Sequence, residues 1–215
     1  ELTLQYGSTL YDLERVSVDS ANIVTRLYPF GSERNIPATY RDGAKRLMIP
    51  AAEINTYIEA NTGVYGVIEG SKIFEDIYPR LGAGDAGTVT AVNTENRLQF
   101  SDANLDFDVN LYRYPNISPK IHFTSGLLSQ ASPDITNKSS RLYFYEVNNY
   151  DHQTRSFTLF LSTDLKGYSV PNDTFFPQPG DTYELFDVVF PDSYVTAAEA
   201  ELLAAAQNYL RENSH

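Results

Sequence analysis

The sequence predicts a mainly β protein with a minor helical part, built as two small β-barrel-like or sandwich-like units followed by a C-terminal α-helix. Short segments in which apolar and polar residues alternate recur along the chain, and glycine, proline and asparagine separate them. Few segments between them have helical periodicity, so the crossover helices of a parallel α/β sheet are missing. The 16 tyrosines and 12 phenylalanines also favour strands.

The alternation that defines the strands begins near the N-terminus, where Leu2, Leu4 and Tyr6 are separated by polar residues. Residues 52–61 fit either a short helix or a turn. The predicted strands are, in chain order, 2–6, 11–18, 22–28, 46–49, 64–69, 73–78, 88–92, 97–100, 120–124, 141–147, 155–161 and 182–190.

Two pairs of these strands are predicted hairpins. A polar loop at 93–96 has the length of a hairpin connection between strands 88–92 and 97–100. The clearest hairpin joins 141–147 to 155–161, with a turn supplied by Asn148, Asn149, Asp151 and Gln153.

The domain boundaries follow from composition. Residues 79–87 are rich in glycine, alanine and proline, which is typical of a linker. The interpretation is a β-rich first segment at 1–85, a β-barrel-like domain at 86–190 that is inserted or follows on, and a C-terminal helix at 191–215. A second linker with three prolines lies at 170–180.

The C-terminal helix is predicted from a start signal and a periodic apolar face. Thr196 and Glu199 have the spacing of a capping box, in which each side chain satisfies a free backbone N–H at the start of a helix. We expect the apolar face to pack on the same chain, with contact to a neighbouring subunit or to downstream sequence as the alternative. That face consists of Leu202, Leu203, Ala206, Tyr209 and Leu210.

Composition excludes several classes of function. A net charge of -12 repels nucleic-acid phosphates and anionic membrane surfaces, so no nucleic-acid partner is expected. No apolar run reaches the roughly 18 residues that span a bilayer, so no membrane insertion is expected. With no cysteine, there are no disulfides, thiolate nucleophiles or cysteine-ligated zinc sites. No signal-peptide pattern opens the chain. Because the first residue is Glu1 rather than methionine and the predicted helix at 201–213 runs to the end without a glycine stop, we expect a piece of a longer polypeptide.

Residues suited to metal binding are scattered. His122, His152 and His215 lack the close spacing of a zinc motif. The acids Asp102, Asp106 and Asp108 resemble a calcium loop only weakly, because Leu105, Phe107 and Val109 alternate with polar residues. That pattern predicts a strand with a solvated face, so no metal site is expected.

Motifs for catalysis or phosphate binding are equally weak. Glu69, Glu75 and Asp76 are close in sequence but do not stand out among 28 acidic residues as a glycosidase pair. Ser32 and Ser71 each follow a glycine without the pattern of a nucleophile elbow. A strand rather than a helix is predicted after Gly82, Gly84 and Gly87, which argues against a dinucleotide loop. We therefore predict no catalytic, cofactor-binding or metal-binding residue and no cofactor.

Five segments resemble proteins of the tail-hub or tail-tip family of phages and prophages. They cover most of the chain in order and are 22–37 (NIVTRLYPFGSERNIP), 64–70 (VYGVIEG), 74–79 (FEDIYP), 87–90 (GTVT) and 191–199 (PDSYVTAAE). The resemblance implies a non-enzymatic structural component of the hub, tip or baseplate. It also implies contacts with other tail proteins and a homotrimer in the full-length protein.

The resemblance further implies a location in the virion tail, or in the bacterial cytoplasm before assembly. Longer members of this family can carry a cell-wall endopeptidase or a receptor-binding module, and nothing in this sequence matches such a catalytic module. On this hypothesis Tyr28, Phe30, Tyr65 and Tyr78 fill a core or a subunit seam, with the core favoured.

Two alternatives stay open at this point. One is a glycan-binding or cell-surface-binding β module, in which Tyr143, Tyr145 and Tyr150 would stack on sugars. The other is a fragment of a cell-wall-degrading tail protein.

Overall fold

The structure, a computed structural model, describes residues 23–81, 86–130, 144–163 and 169–214. The strands predicted at 2–6 and 11–18 lie outside these ranges. Within them the protein is mainly β, with two principal sheets and one long C-terminal helix, which confirms the predicted fold class.

The first sheet has three strands: β1 (Arg26–Gly31), β2 (Ile58–Glu59) and β3 (Glu69–Phe74). Their order is β2-β1-β3, with β1 antiparallel to β2 and parallel to β3. Between β2 and β3 lies a single helical turn, α1 (Thr62–Tyr65), and a 3-10 turn spans Tyr40–Asp42. The sheet therefore has β3 as a six-residue edge strand.

The predicted strands at 46–49 and 64–69 are wrong. Residues 46–49 form an irregular segment with bends at 46 and 49, although Leu47 and Ile49 are buried in the core. Residues 64 and 65 belong to α1, because Asn61 and Gly66 both have positive φ and turn the chain at either end. The third strand of the sheet therefore starts at Glu69 and ends at Phe74, whereas the sequence placed it at 73–78.

The second sheet has seven strands in a curled antiparallel arrangement, ordered β4-β12-β7-β8-β9-β6-β5, and β10 and β11 form a separate two-stranded ribbon. A 3-10 turn, Val109–Tyr112, and a helical turn, α2 (Leu127–Gln130), lie between strands. The strands are β4 (Gly87–Thr88), β5 (Ala91–Val92), β6 (Gln99–Ser101), β7 (Lys120–Phe123), β8 (Tyr145–Asp151), β9 (Ser156–Leu159), β10 (Ser162–Thr163), β11 (Ser169–Val170) and β12 (Thr182–Phe186).

The strands at the two edges of the curled sheet, β4 and β5, are neighbours along the chain and are separated by residues 89 and 90. Strand β4 pairs with β12 at one edge, and β5 pairs with β6 at the other. Both predicted hairpins are present, as β5–β6 and β8–β9. Asn148, Asn149 and Asp151 lie in β8 rather than in the turn, and a register shift separates Val147 from Asn149. The predicted last strand ends at Phe186, since Asp187 has a positive φ of 57°.

Aromatic side chains fill the core of this sheet. Phe100 contacts Phe157 in a stacked arrangement at 5.3 Å between ring centroids and meets Phe123 and Tyr183 edge-on at 5.6 and 5.4 Å. All four rings are buried. Such contacts contribute beyond the apolar area that they remove from water.

The C-terminal helix, α3 (Asp192–Asn213), packs on the first sheet. Leu27 of β1 forms a buried cluster with Ala206 and Leu210, so the periodic face predicted from the sequence meets the same chain. The predicted capping box is wrong, because α3 begins at Asp192 and Thr196 lies inside it. None of the helices in the described residues is long and apolar enough to cross a membrane.

Along the chain, the strands of the curled sheet come after the three strands of the first sheet and before α3, the helix that packs on that first sheet. The division into units at 1–85, 86–190 and 191–215 stays a prediction.

Candidate interaction surface

The histidines of the described residues are dispersed over the curled sheet. His122 lies in β7, with its ring 6.0 Å from that of Phe144, and His152 lies in the turn between β8 and β9. His215 is outside the described residues. Within those residues, no group of three or more histidine, aspartate or glutamate side chains could hold a metal ion.

The segment with Asp102, Asp106 and Asp108 does not form the predicted strand. Leu105, Phe107 and Val109 are buried alternately, as the sequence suggests, but the backbone forms turns that lead into a 3-10 helix. The alternation therefore marks a loop that covers the core of the curled sheet.

Asp102 also contradicts the predicted solvated face, because it is buried at 2% exposure. Its carboxylate accepts hydrogen bonds from the Tyr183 hydroxyl at 3.0 Å, the Thr88 amide at 3.1 Å and the Asn104 amide at 2.9 Å. Three donors satisfy a carboxylate that burial would otherwise destabilise. Asp102, which directly follows β6, thus contacts both the edge strand β4 and its neighbour β12.

The other two acids have separate partners. Asp106 accepts a hydrogen bond from the Tyr194 hydroxyl at 2.6 Å, and Asp108 caps the 3-10 helix by accepting from the Asn110 amide at 3.0 Å. These contacts are structural.

The weak catalytic candidates are likewise separated. Glu69 pairs with Arg26 at 3.0 Å, whereas Glu75 pairs with Arg46 at 2.8 Å. Ser32 is buried, and Ser71 is exposed on β3. Strand β4 begins at Gly87, so the strand predicted in place of a phosphate-binding helix is present; Gly82 and Gly84 lie outside the described residues.

The tyrosines proposed for sugar stacking are core residues where they can be described. Tyr145 is fully buried, and Tyr150 is 2% exposed. Burial, with the nearby Asp108 carboxylate, raises the pKa of Tyr150 to about 12. The prediction is wrong for these two residues, and Tyr143 lies outside the described residues.

Of the aromatics expected in a core or seam, Tyr78 is buried, and Tyr65 is 46% exposed. Tyr28 and Phe30 are half-buried on the face of the first sheet that points away from α3, because β1 alternates buried and half-buried positions.

Phe30 lines an open groove of about 410 Å³ on that outer face. The groove reaches β3, where Ile73 is 46% exposed. We call the groove together with β3 the β3 edge surface. The groove residues are Phe30, Ala44, Lys45, Arg46, Met48, Ser71 and Ile73.

The backbone of β3 is unpaired on its outer side among the described residues. The Arg26 amide donates to the Ile68 carbonyl at 3.0 Å, and Arg26 lies opposite Glu69 in the parallel register. In a parallel pair, every second residue of a strand bonds to the neighbouring strand, and the residues between them point their N–H and C=O groups to the opposite side. The N–H and C=O groups of Glu69, Ser71 and Ile73 therefore point to the free edge.

The β3 edge surface is close to electrically neutral in a chain of net charge -12. Arg26 bridges Glu59 at 2.7 Å and Glu69 at 3.0 Å, and the hydrogen bond to Glu59 raises its pKa. Lys45 has no carboxylate within 4.0 Å among the described residues. The surface itself carries Lys45, Arg46, Lys72 and Glu69. Counted together with the ion pairs that reach it, there are four cations, Arg26, Lys45, Arg46 and Lys72, and four anions, Glu33, Glu59, Glu69 and Glu75.

The sequence did not reveal this surface, because β3 was placed four residues too late and its edge position depends on pairing order. The signal that was present is the alternation of Tyr28 and Phe30 with Leu27 in β1.

Searches with this chain match no protein-family model, no curated protein and no solved structure.

Proposed function

We propose that this chain is a structural component of a phage or prophage tail, in the hub, tip or baseplate, and that it acts by protein–protein assembly without catalysis. The observation that carries this proposal is the β3 edge surface, in which an apolar groove lies beside a strand edge that no other described strand covers. Natural sheets usually protect a long edge, because it readily pairs with another strand. An edge that is unpaired among the described strands suits a protein that functions in an assembly.

The sequence supports the same proposal independently. The five segments that resemble tail-hub and tail-tip proteins include all of β1 and β4, the last two residues of α1 and the first eight residues of α3. The proposed partners are other tail proteins and further copies of the chain, as a trimer in the full-length protein. The proposed location is the virion tail, or the bacterial cytoplasm before assembly.

The glycan-binding alternative has lost two of its three candidate residues, since Tyr145 and Tyr150 are buried. The cell-wall-degrading alternative has no specific support, because Glu69 and Glu75 bind different arginines. A peptidoglycan digestion assay separates it from the structural proposal, which predicts no soluble product.

Light scattering of the purified chain over a concentration series tests the proposal, alone and with the tail proteins encoded beside it. Assembly predicts a mass that exceeds the monomer and rises with concentration or with added partner. A mass equal to the monomer in every mixture would count against it.

A further inference from the structure

We infer that the β3 edge surface binds a second copy of this chain, with two β3 strands side by side and antiparallel around a two-fold axis. This contact goes beyond the proposed tail function and is separate from the three-fold ring expected there. An isologous contact requires a surface that is complementary to itself. Backbone, steric and charge features of β3 all meet that requirement.

The backbone determines the register of the pair. Within β3, the residues that present N–H and C=O groups to the edge left unpaired by the described strands are Glu69, Ser71 and Ile73. In an antiparallel pair, residues that exchange hydrogen bonds lie directly opposite each other. The register that uses all three places Ser71 opposite Ser71 of the second copy and Glu69 opposite its Ile73. Any shift by two residues loses at least one of these pairs.

This register also suits the side chains. Gly70 lies opposite Lys72 of the second copy, so the lysine faces a residue without a side chain. The alternative centred on Lys72 would oppose two lysines, and like charges directly opposite are destabilising. Adding a methyl group at Gly70 would place it 2.9 Å from the side chain of Val24, so glycine is also required by packing within the chain.

In the same arrangement, the second copy shields part of the apolar groove from solvent. Ser71 and Ile73 line both the groove and the edge, so the second copy lies beside the groove in this register. Glu69 of the second copy then faces Ile73, on the groove side of the sheet where Lys45 lies. The carboxylate thus approaches a lysine that has no carboxylate partner in its own described chain.

Local neutrality makes the contact feasible. Two copies with a net charge of -12 repel each other over most orientations. The β3 edge surface and the ion pairs that reach it carry four cations and four anions, so the negative charge that separates two copies is not concentrated there.

Single-cysteine variants test the register, because the chain has no cysteine of its own. Hydrogen-bonded opposite residues have Cα atoms about 5.5 Å apart, within the roughly 4.4–6.8 Å that a disulfide spans. Ser71→Cys is therefore expected to give a covalent dimer as its main product on mild oxidation. Ser193→Cys, which is exposed at the start of α3, is the matched control and is expected to remain mostly monomeric.

A mixture of Glu69→Cys and Ile73→Cys chains tests the register further. We expect more covalent dimer in the mixture than in either variant alone. Circular dichroism checks that each variant is folded.

Equal crosslinking of Ser71→Cys and Ser193→Cys in folded chains would overturn the inference. A trimer by light scattering with no excess crosslinking at position 71 would also overturn it, while leaving the proposed assembly function intact.

Discussion

The hydroxyl of Tyr183 donates a 3.0 Å hydrogen bond to the carboxylate of Asp102, and both side chains are buried in the curled sheet. Tyr183 belongs to β12, and Asp102 also holds the amide of Thr88 in the neighbouring strand β4. The pair therefore joins an edge of the sheet to its aromatic core, near the point where its two edges meet.

Replacing Asp102 with alanine is expected to lower the free energy of unfolding by about 3 kcal/mol, because the Tyr183 hydroxyl and the Thr88 amide lose their acceptor inside the protein. Urea unfolding measures this change. Asp108→Ala is the control: it removes a half-buried cap of a short 3-10 helix and is expected to cost about 1 kcal/mol or less. Similar losses for the two variants would contradict the structural role of Asp102.

Substitution of Gly87 tests how closely β4 packs on Tyr183. A Cβ at position 87 would lie 2.5 Å from Cζ of Tyr183 and 2.7 Å from Cδ1 of Leu81, so Gly87→Ala is expected to destabilise the protein by about 1–3 kcal/mol. Gly63→Ala is the matched control, since no heavy atom lies within 4 Å of the added carbon. If the Gly87 variant unfolds at the same urea concentration as the control, the close packing is refuted.

Glu199 holds α3 against the loop at 40–49, whereas Thr196 does not. Substitutions at these two positions, which the sequence predicted as a capping box, are therefore expected to change stability by different amounts. Glu199 is buried and accepts hydrogen bonds from the Tyr40 hydroxyl at 2.7 Å and from Arg41 at 2.8 Å. Glu199→Ala is therefore expected to cost about 2–3 kcal/mol.

Thr196→Ala is expected to change stability by about 0.5 kcal/mol or less, because Thr196 is exposed inside the helix. Thermal or urea unfolding of the two variants decides between these roles. A loss of about 1 kcal/mol at Thr196 would restore the capping-box prediction.

Alkaline pH is expected to weaken the fold. Burial first, and then the hydrogen bond to Glu199, raises the pKa of Tyr40 to about 12 from an ordinary value of 10.0. Burial also raises the pKa of Tyr183 well above that value, with the Asp102 carboxylate adding to the effect. Since the unfolded chain loses these protons first, the stability is fully present below pH 10 and falls as the pH rises towards 12.

Tyrosinate absorbance measures this effect directly. Between pH 10 and 12, the folded chain is expected to contain fewer tyrosinates than the chain in urea. Coincident titration curves would show that the buried tyrosines are not protected.

The sequence predicts the fold class because strand alternation and turn residues are local signals. The hairpin β8–β9, the alternation of β7 and the apolar face of α3 all follow from residue order. The strand predicted at 64–69 failed because residues with positive φ at Asn61 and Gly66 impose a helical turn on residues with high strand propensity.

The role of Asp102 could not be predicted, because its partners Thr88 and Tyr183 are 14 and 81 residues away. Three acids at alternate positions look alike in sequence, and only the folded chain buries one of them. The edge position of β3 among the described strands is also a property of pairing order, which no local pattern specifies.

The central claim is that this chain is part of a tail. Immunogold electron microscopy tests it most directly, with antibodies raised against the purified chain and applied to particles released by the strain that encodes it. The account predicts gold particles at one end of the tail, removed when the antibody is first absorbed with the chain. Well-formed tails that carry no label, when the same antibody detects the chain in the cells, would contradict it.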